Sequence, residues 1–206
     1  MMHYTVGVDL GQVADFTAVA VLQEGPSRHY ALRHLVRLRN RPYPEIVNGI
    51  RLLVRRLPGT PCLAVDATGV GRPVIDMMRE ARIDADLYPV TITGGDAVTR
   101  DGFEYRVPKR DLCSCVAVLL QTGRLRIARN LPHAQTLERE LTRFRVKISP
   151  DGHDSYAAWR EADHDDLVLA VAVACWMNEH GQDGYLRYIR DQLEKADAAR
   201  QSGGGR

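Results

Sequence analysis

Three acidic positions stand at the ends of apolar runs, where a carboxylate is costly. Asp9 closes the first apolar run (VGVDLG), Asp66 closes another (CLAVDATGVG), and Asp165 and Asp166 open a third (HDDLVLAVAVA). A carboxylate at the C-terminal end of a buried strand is expensive unless something offsets its charge. A divalent cation such as Mg²⁺ does so, because it favours hard oxygen ligands. Two such ions, roughly 3.5–4 Å apart, can activate water and stabilise the leaving oxygen of a phosphodiester. Taken singly, each residue has an ordinary structural role: an Asp after a strand suits a turn, and Asp165 or Asp166 suits a helix N-cap. It is the coincidence of the three settings, in this order, that points to a metal site. Nucleophilic protein catalysis has no comparable support, since neither Ser114 nor Ser155 lies in a glycine elbow.

The elements that must carry these residues can be read from periodicity. Strands are expected over Tyr4–Leu10, Phe16–Leu22 and Tyr30–Leu38, separated by turns at Gly11–Asp15 and Gly25-Pro26-Ser27. Ile46, Ile50, Leu53, Val54 and Leu57 recur at helical spacing, and Pro58-Gly59 stops that helix. A short strand, Cys62–Val65, leads to Asp66, and Thr68 to Gly71 turn the chain into a helix over Pro73–Arg82. Then follow a strand over Leu87–Ile92, a polar loop over Gly94–Gly102, a helix over Pro108–Gln121 and a strand over Leu125–Ala128. A helix over Ala134–Arg143, a strand over Phe144–Ile148 and an apolar helix over Leu167–Met177 complete the pattern. A meander followed by β-α alternation argues for an α/β fold, a mixed sheet flanked by helices. In such sheets, sites form at strand ends.

The bulk properties are those of an ordinary globular protein: 206 residues, 45% apolar and 26% charged, with a net charge of +2. That balance says little about partners. The 28 basic residues are nearly all Arg, with Lys only at positions 109, 147 and 195. Arg suits bidentate phosphate contacts, and a GC-rich genome gives the same bias. Arg51, Arg55 and Arg56, and separately Arg139, Arg143 and Arg145, make two candidate basic helix faces for a nucleic-acid backbone. Cys62, Cys113, Cys115 and Cys175 have neither zinc-finger nor redox spacing and read as buried thiols. No signal peptide is visible, and the run from Leu167 to Met177 is too short to span a bilayer, so a cytoplasmic location is expected.

With these strings in view, a family resemblance emerges. VGVDLGQVADFTAVAV resembles the first acidic motif of RNase H-like nucleases in the form found in phage large terminases, and LAVDATGVGRPVIDMM resembles the second. VPKRDLCSCVAVLLQTGRLRIA, LERELTRF and HDDLVLAVAVACW are similar to the C-terminal half of that family, so the likeness runs from Val6 to Trp176. It implies an RNase H-like fold and a DNA endonuclease in which Asp9, Asp66 and one of Asp165 and Asp166 hold two Mg²⁺ or Mn²⁺ ions. Asp165 is the favoured ligand and Asp166 supports or shares the site. Accessory roles are implied for Asp15 (orienting water), His164 (proton shuttle or ligand) and Lys109 (phosphate contact). Each also has a plain alternative: a turn residue, a helix-start residue and a solvated Lys. The implied partners are double-stranded DNA and a separate packaging ATPase, portal or small terminase subunit in a phage-infected or lysogenic bacterial cell.

A packaging motor would need a G-x-x-x-x-G-K-[ST] loop, and none occurs. Two other classes use a similar start. Actin-like or sugar-kinase ATPases open with an Asp-Gly strand-turn-strand, but need a larger two-lobed body and a second phosphate loop. A non-catalytic DNA-binding module of this fold, or a junction resolvase, would share the sheet. Residues 1–180 are expected to form the nuclease domain. Residues 181–206 are expected to form a polar helix over Tyr185–Arg200 and a disordered QSGGGR tail.

Overall fold

The computed structural model describes residues 3–11, 15–69, 71–146 and 165–181. Three strands open the fold: β1 (His3–Asp9), β2 (Phe16–Glu24) and β3 (Tyr30–Arg39), each antiparallel to the next. Helix α1 (Tyr43–Val54) follows, then β4 (Cys62–Asp66), which returns parallel to β1. Helix α2 (Gly71–Glu80) crosses over to β5 (Asp86–Thr93), parallel to β4. The chain continues through β6 (Thr99–Asp101), β7 (Glu104–Pro108), α3 (Lys109–Gln121), β8 (Leu125–Ile127), α4 (Ala134–Val146) and α5 (Asp166–His180). The eight strands form one mixed sheet in the order β6-β7-β5-β4-β1-β2-β3-β8.

Two expectations from periodicity fail locally. The stretch read as a polar loop contains β6, which pairs antiparallel with β7, itself unforeseen. All three residues of β6 are exposed, so no apolar alternation marks it. The signal is instead the Asp101-Gly102 dipeptide, with Gly102 at φ 58° turning the hairpin. Phe144 to Val146, read as the start of a strand, continue helix α4. In the sequence, Phe144 and Val146 flank Arg145, an alternation too short to separate strand from helix. The remainder of that expected strand and the expected Tyr185–Arg200 helix fall outside the described residues.

The period-2 alternation of the central strands divides the core into two layers. Val6, Val8, Val19, Val21, Leu63 and Val65 pack against α1 and α2. Ala18, Ala20, Leu22, Cys62 and Ala64 face the other way and pack with α3, α4 and α5. Helix α5 is apolar on every side because it is enclosed on every side: Leu167 to Asn178 are all buried. It lies almost on the backbone of β1. A Cβ added at Gly7 would collide with the Ala170 carbonyl oxygen and come within 2.8 Å of the Ala174 Cβ. Small residues on both sides of the contact permit that approach. Among the described residues, no helix is long and apolar enough to cross a membrane. The four cysteines are free and buried, as their context suggests.

Candidate active site

The strand pairing places the first two acidic residues. Asp9 and Asp66 are the last residues of β1 and β4, and they are direct partners in the parallel register. Asp9 is opposite Ala18 on β2, and Ala18 is opposite Arg37 on β3. Asp66, Asp9, Ala18 and Arg37 therefore form one row across four adjacent strands. Cross-strand partners share a face, and Ala18 belongs to the layer packed with α5. The alanine leaves the space between Asp9 and Arg37 into which the start of α5 enters.

Asp9 and Asp66 are 9% and 5% exposed. Their side chains lie close enough to be electrostatically coupled. Burial raises the Asp9 carboxyl well above the ordinary range, and the charges of Asp66, Asp166 and Asp165 raise it further. Burial also raises Asp66, against the opposing pull of Thr68 and Lys109. Asp66 Oδ1 accepts the Thr68 N–H at 2.7 Å, and Thr68 Oγ1 accepts the Ile92 N–H at 2.7 Å. The turn after β4 thus fixes the Asp66 rotamer and ties it to β5. After β1, Thr17 Oγ1 accepts the Gly11 N–H at 3.2 Å and the Tyr43 hydroxyl donates to the Gly11 carbonyl at 3.3 Å.

Helix α5 brings the remaining carboxylates to this edge. Asp165 is its N-cap and Asp166 its first residue, but the Asp165 side chain makes no capping bond. Glu140 on α4 caps the helix instead: its Oε2 accepts the N–H groups of Leu167 and Val168 at 3.1 and 3.2 Å. Arg37 Nη2 binds Asp166 Oδ2 at 2.7 Å and lies 3.7 Å from Glu140 Oε1. The same guanidinium stacks on Phe16, with Cζ 3.8 Å from the ring centre. Lys109 Nζ, at the first turn of α3, binds Asp165 Oδ2 at 3.0 Å. Burial pushes the Glu140 carboxyl up to about 7, against the pull of the Val168 N–H and Arg37.

The structure thus brings Asp9, Asp66, Asp165, Asp166 and Lys109 together at one end of the sheet. Asp15 is exposed and immediately precedes β2 at that same end. His164 is outside the described residues. The basic face of α1 is not part of this cluster. Helix α1 begins near Gly11 and runs away from the edge. At 1.5 Å per residue, this leaves Arg51 and Arg55 roughly 12 and 18 Å along the axis from its start. Arg51 bonds Asn48 Oδ1 within its own helix, Arg55 and Arg56 are exposed beyond it, and Arg139 bonds Gln135 and Thr136 on α4. The side chains of Arg143 and Arg145 are outside the described residues. Two site residues escaped the sequence reading. Arg37 lies inside the strand expected over Tyr30–Leu38, with nothing local to set it apart from Arg33 or Arg39. Glu140 carried a signal: it lies three residues after buried Leu137, on the face of α4 that meets the core.

Among the described residues, no three acidic, histidine or cysteine side chains converge into a ready metal-binding group. Asp165 is instead paired with Lys109, and Asp166 with Arg37. The donors nevertheless fit a hard divalent cation. They are all carboxylate oxygens, Asp9 and Asp66 are in contact, and the charges of Asp165 and Asp166 are felt at Asp9.

This architecture is an RNase H-like mixed sheet with an acidic edge. It is the fold of the nuclease domains of phage large terminases. The large terminase nuclease of thermophilic phage G20c superposes with a TM-score of 0.57 at 18% identity, over 84% of this chain and 81% of that one. The P22 large terminase nuclease domain gives 0.56 at 12% identity, over 88% and 86%. The nuclease domain of the bacteriophage SPP1 large terminase, solved with bound Mn, gives 0.53 at 12% identity, over 86% of each chain. At these identities the likeness is one of fold. No protein-family model matches the sequence, and no curated protein matches it.

Proposed function

We propose that this chain is a divalent-metal-dependent DNA endonuclease of the kind that forms the nuclease half of a phage large terminase. The observation that carries the reading is the contact between two buried carboxyl groups, Asp9 and Asp66, at the sheet edge where α5 delivers Asp165 and Asp166. Two carboxyl groups buried beside each other, with two more at the same sheet edge, suit the binding of a cation. The RNase H-like fold shared with the terminase nucleases adds to this, as does the Mn bound to one of them.

In this reading Asp9, Asp66 and Asp165 would hold two Mg²⁺ or Mn²⁺ ions, with Asp166 beside them. Such ions, when bound, supply positive charge to a phosphodiester and make water a better nucleophile. The rest is done by the chain. Asp9 and Asp66 would both serve as carboxylate acceptors, so binding would favour their ionised forms. Lys109 releases Asp165 and turns its ammonium toward a phosphate oxygen. Arg39, exposed at the end of β3 and opposite Phe16, stands at the same edge and suits the DNA backbone. We further read residues 1–180 as the nuclease domain and residues 181–206 as an appendage, and assign cleavage to DNA packaging with a separate ATPase.

The test is cleavage of supercoiled plasmid by the purified chain with Mn²⁺ or Mg²⁺, with and without chelator. Nicking or linearisation that needs the metal and is lost in Asp66→Asn is the expected result. A fully active Asp66→Asn protein, or cutting that persists in chelator, would remove the assignment.

A further inference from the structure

The buried carboxylate on α4 has no part in the mechanism above, yet it binds the first turn of α5 and faces the guanidinium that holds Asp166. Glu140 is 7% exposed. One of its oxygens accepts two backbone N–H groups of the first turn of α5, from Leu167 and Val168. Its other oxygen, Oε1, has no hydrogen-bond partner among the described residues and lies 3.7 Å from the Arg37 guanidinium. That guanidinium in turn holds Asp166 at 2.7 Å while stacked on Phe16. A surface cap would not need to be buried or to face a second charge, and the Asp165 side chain, the local candidate, leaves the capping to Glu140.

We propose that Glu140 is a positioning residue of the candidate active site: it holds the first turn of α5 by two hydrogen bonds and sets its free oxygen's charge beside the Arg37 guanidinium, and so sets where Asp165 and Asp166 stand relative to Asp9 and Asp66. The inference rests on the nuclease reading and deepens it. The chemistry is specific to a carboxylate at this place. A glutamine of the same shape could still accept one N–H through its carbonyl, but its amide group would face Arg37 with a donor where an acceptor now stands. Arg37 would lose one of the two carboxylates it faces, and the first turn of α5, with Asp166, would shift relative to it. Residues that hold metal ligands in place by hydrogen bonds matter to metal affinity almost as much as the ligands themselves.

The experiment uses the full chain, with Mn²⁺ as the probe. Mn²⁺ binding is measured by calorimetry, plasmid cleavage is followed as a function of Mn²⁺ concentration, and exchange of the Leu167 and Val168 amide protons is followed in the metal-free protein. Glu140→Gln is expected to weaken Mn²⁺ binding by roughly 10–100-fold. The half-saturating Mn²⁺ concentration for cleavage should rise by the same factor, with KM for DNA unchanged and the two amides exchanging faster. Arg37→Lys keeps the charge but loses the fork, and should weaken Mn²⁺ binding in the same direction. The double variant should be little worse than Glu140→Gln alone. A Glu140→Gln protein that melts earlier yet keeps wild-type Mn²⁺ affinity would overturn the proposal and leave Glu140 as a stabilising cap. Should Glu140→Gln fail to fold, wild-type Mn²⁺ affinity in Arg37→Lys would overturn it equally. A wild-type chain that neither binds Mn²⁺ nor cuts DNA refutes the nuclease reading itself, a different result from either of these.

Discussion

Asp9 on β1 and Asp66 on β4 are register partners in a parallel strand pair, and the charge of the neighbouring Asp66 adds to burial in raising the Asp9 carboxyl. Adjacent strands lie about 4.8 Å apart, so two aspartates at matched strand ends meet without any loop to carry them. Like charges that close cannot both ionise cheaply.

Asp66→Asn is therefore expected to leave the fold intact while removing activity. It replaces one buried acid with an isosteric amide that can still accept from Thr68. Metal-dependent cleavage should fall by more than the roughly 100-fold that losing a supporting residue of a metal site costs. The metal-free protein should melt at the same temperature or higher. Cleavage assays and thermal melts in chelator check the two halves separately.

Lys109→Met removes the ammonium that now neutralises Asp165. Leaving a half-buried carboxylate without its charged partner should destabilise the metal-free protein by roughly 1–3 kcal/mol. In a chain of this size each kcal/mol lowers Tm by about 2–4 °C. Saturating Mn²⁺ should shrink the difference, because the cation takes over the role of the ammonium. An equal loss with and without Mn²⁺ would show that Lys109 and the metal do not compete for Asp165.

Gly7→Ala tests the close seat of α5 on β1. The added methyl meets the Ala170 carbonyl oxygen and the Ala174 Cβ. A clash against backbone in a packed core costs about 1–3 kcal/mol. Denaturant unfolding should show a lower midpoint with an unchanged slope, and cleavage should weaken as well, since α5 carries Asp165 and Asp166. Wild-type stability would mean that α5 can lift without cost.

The opposite end of α5 predicts a pH dependence. Glu179 receives both Arg124 Nη groups at 3.0 and 2.7 Å and the Tyr30 hydroxyl at 2.6 Å, with Arg28 Nε 3.5 Å away. Burial alone would raise its carboxyl, but the Arg124 and Tyr30 hydrogen bonds and the Arg28 charge outweigh it and hold it below the ordinary Glu range. A depressed carboxylate contributes stability that is fully present above the unfolded-state value and is lost as pH falls through the folded one. Acid unfolding should thus begin below about pH 4.3, the ordinary Glu value. Glu179→Gln should flatten the loss in that range, as read from melts at stepped pH, and an unchanged profile would contradict the assignment.

Much of this molecule is written locally. Alternating apolar residues and the turn between β1 and β2 specify the meander, and the unbroken apolar run after Asp166 specifies a fully enclosed helix. The acidic positions were legible for the same reason: a carboxylate at the end of a buried run breaks the pattern. The β6–β7 hairpin was not read, because β6 is exposed throughout and only Asp101-Gly102 marks its turn. Nor were the roles of Arg37 and Glu140, whose partners lie 129 and 27 or more residues away in the chain.

The sequence by itself determined which carboxylates are exceptional, and which strands and helix carry them, since burial pattern and periodicity are properties of neighbouring residues. Only the tertiary structure decided that Asp9 and Asp66 touch, that Lys109 and Arg37 neutralise the α5 pair, and that Glu140 caps that helix from across the core. Those are contacts between elements, set by strand order, register and the depth at which α5 settles on Gly7, and no local pattern encodes a distance between segments that meet only after folding.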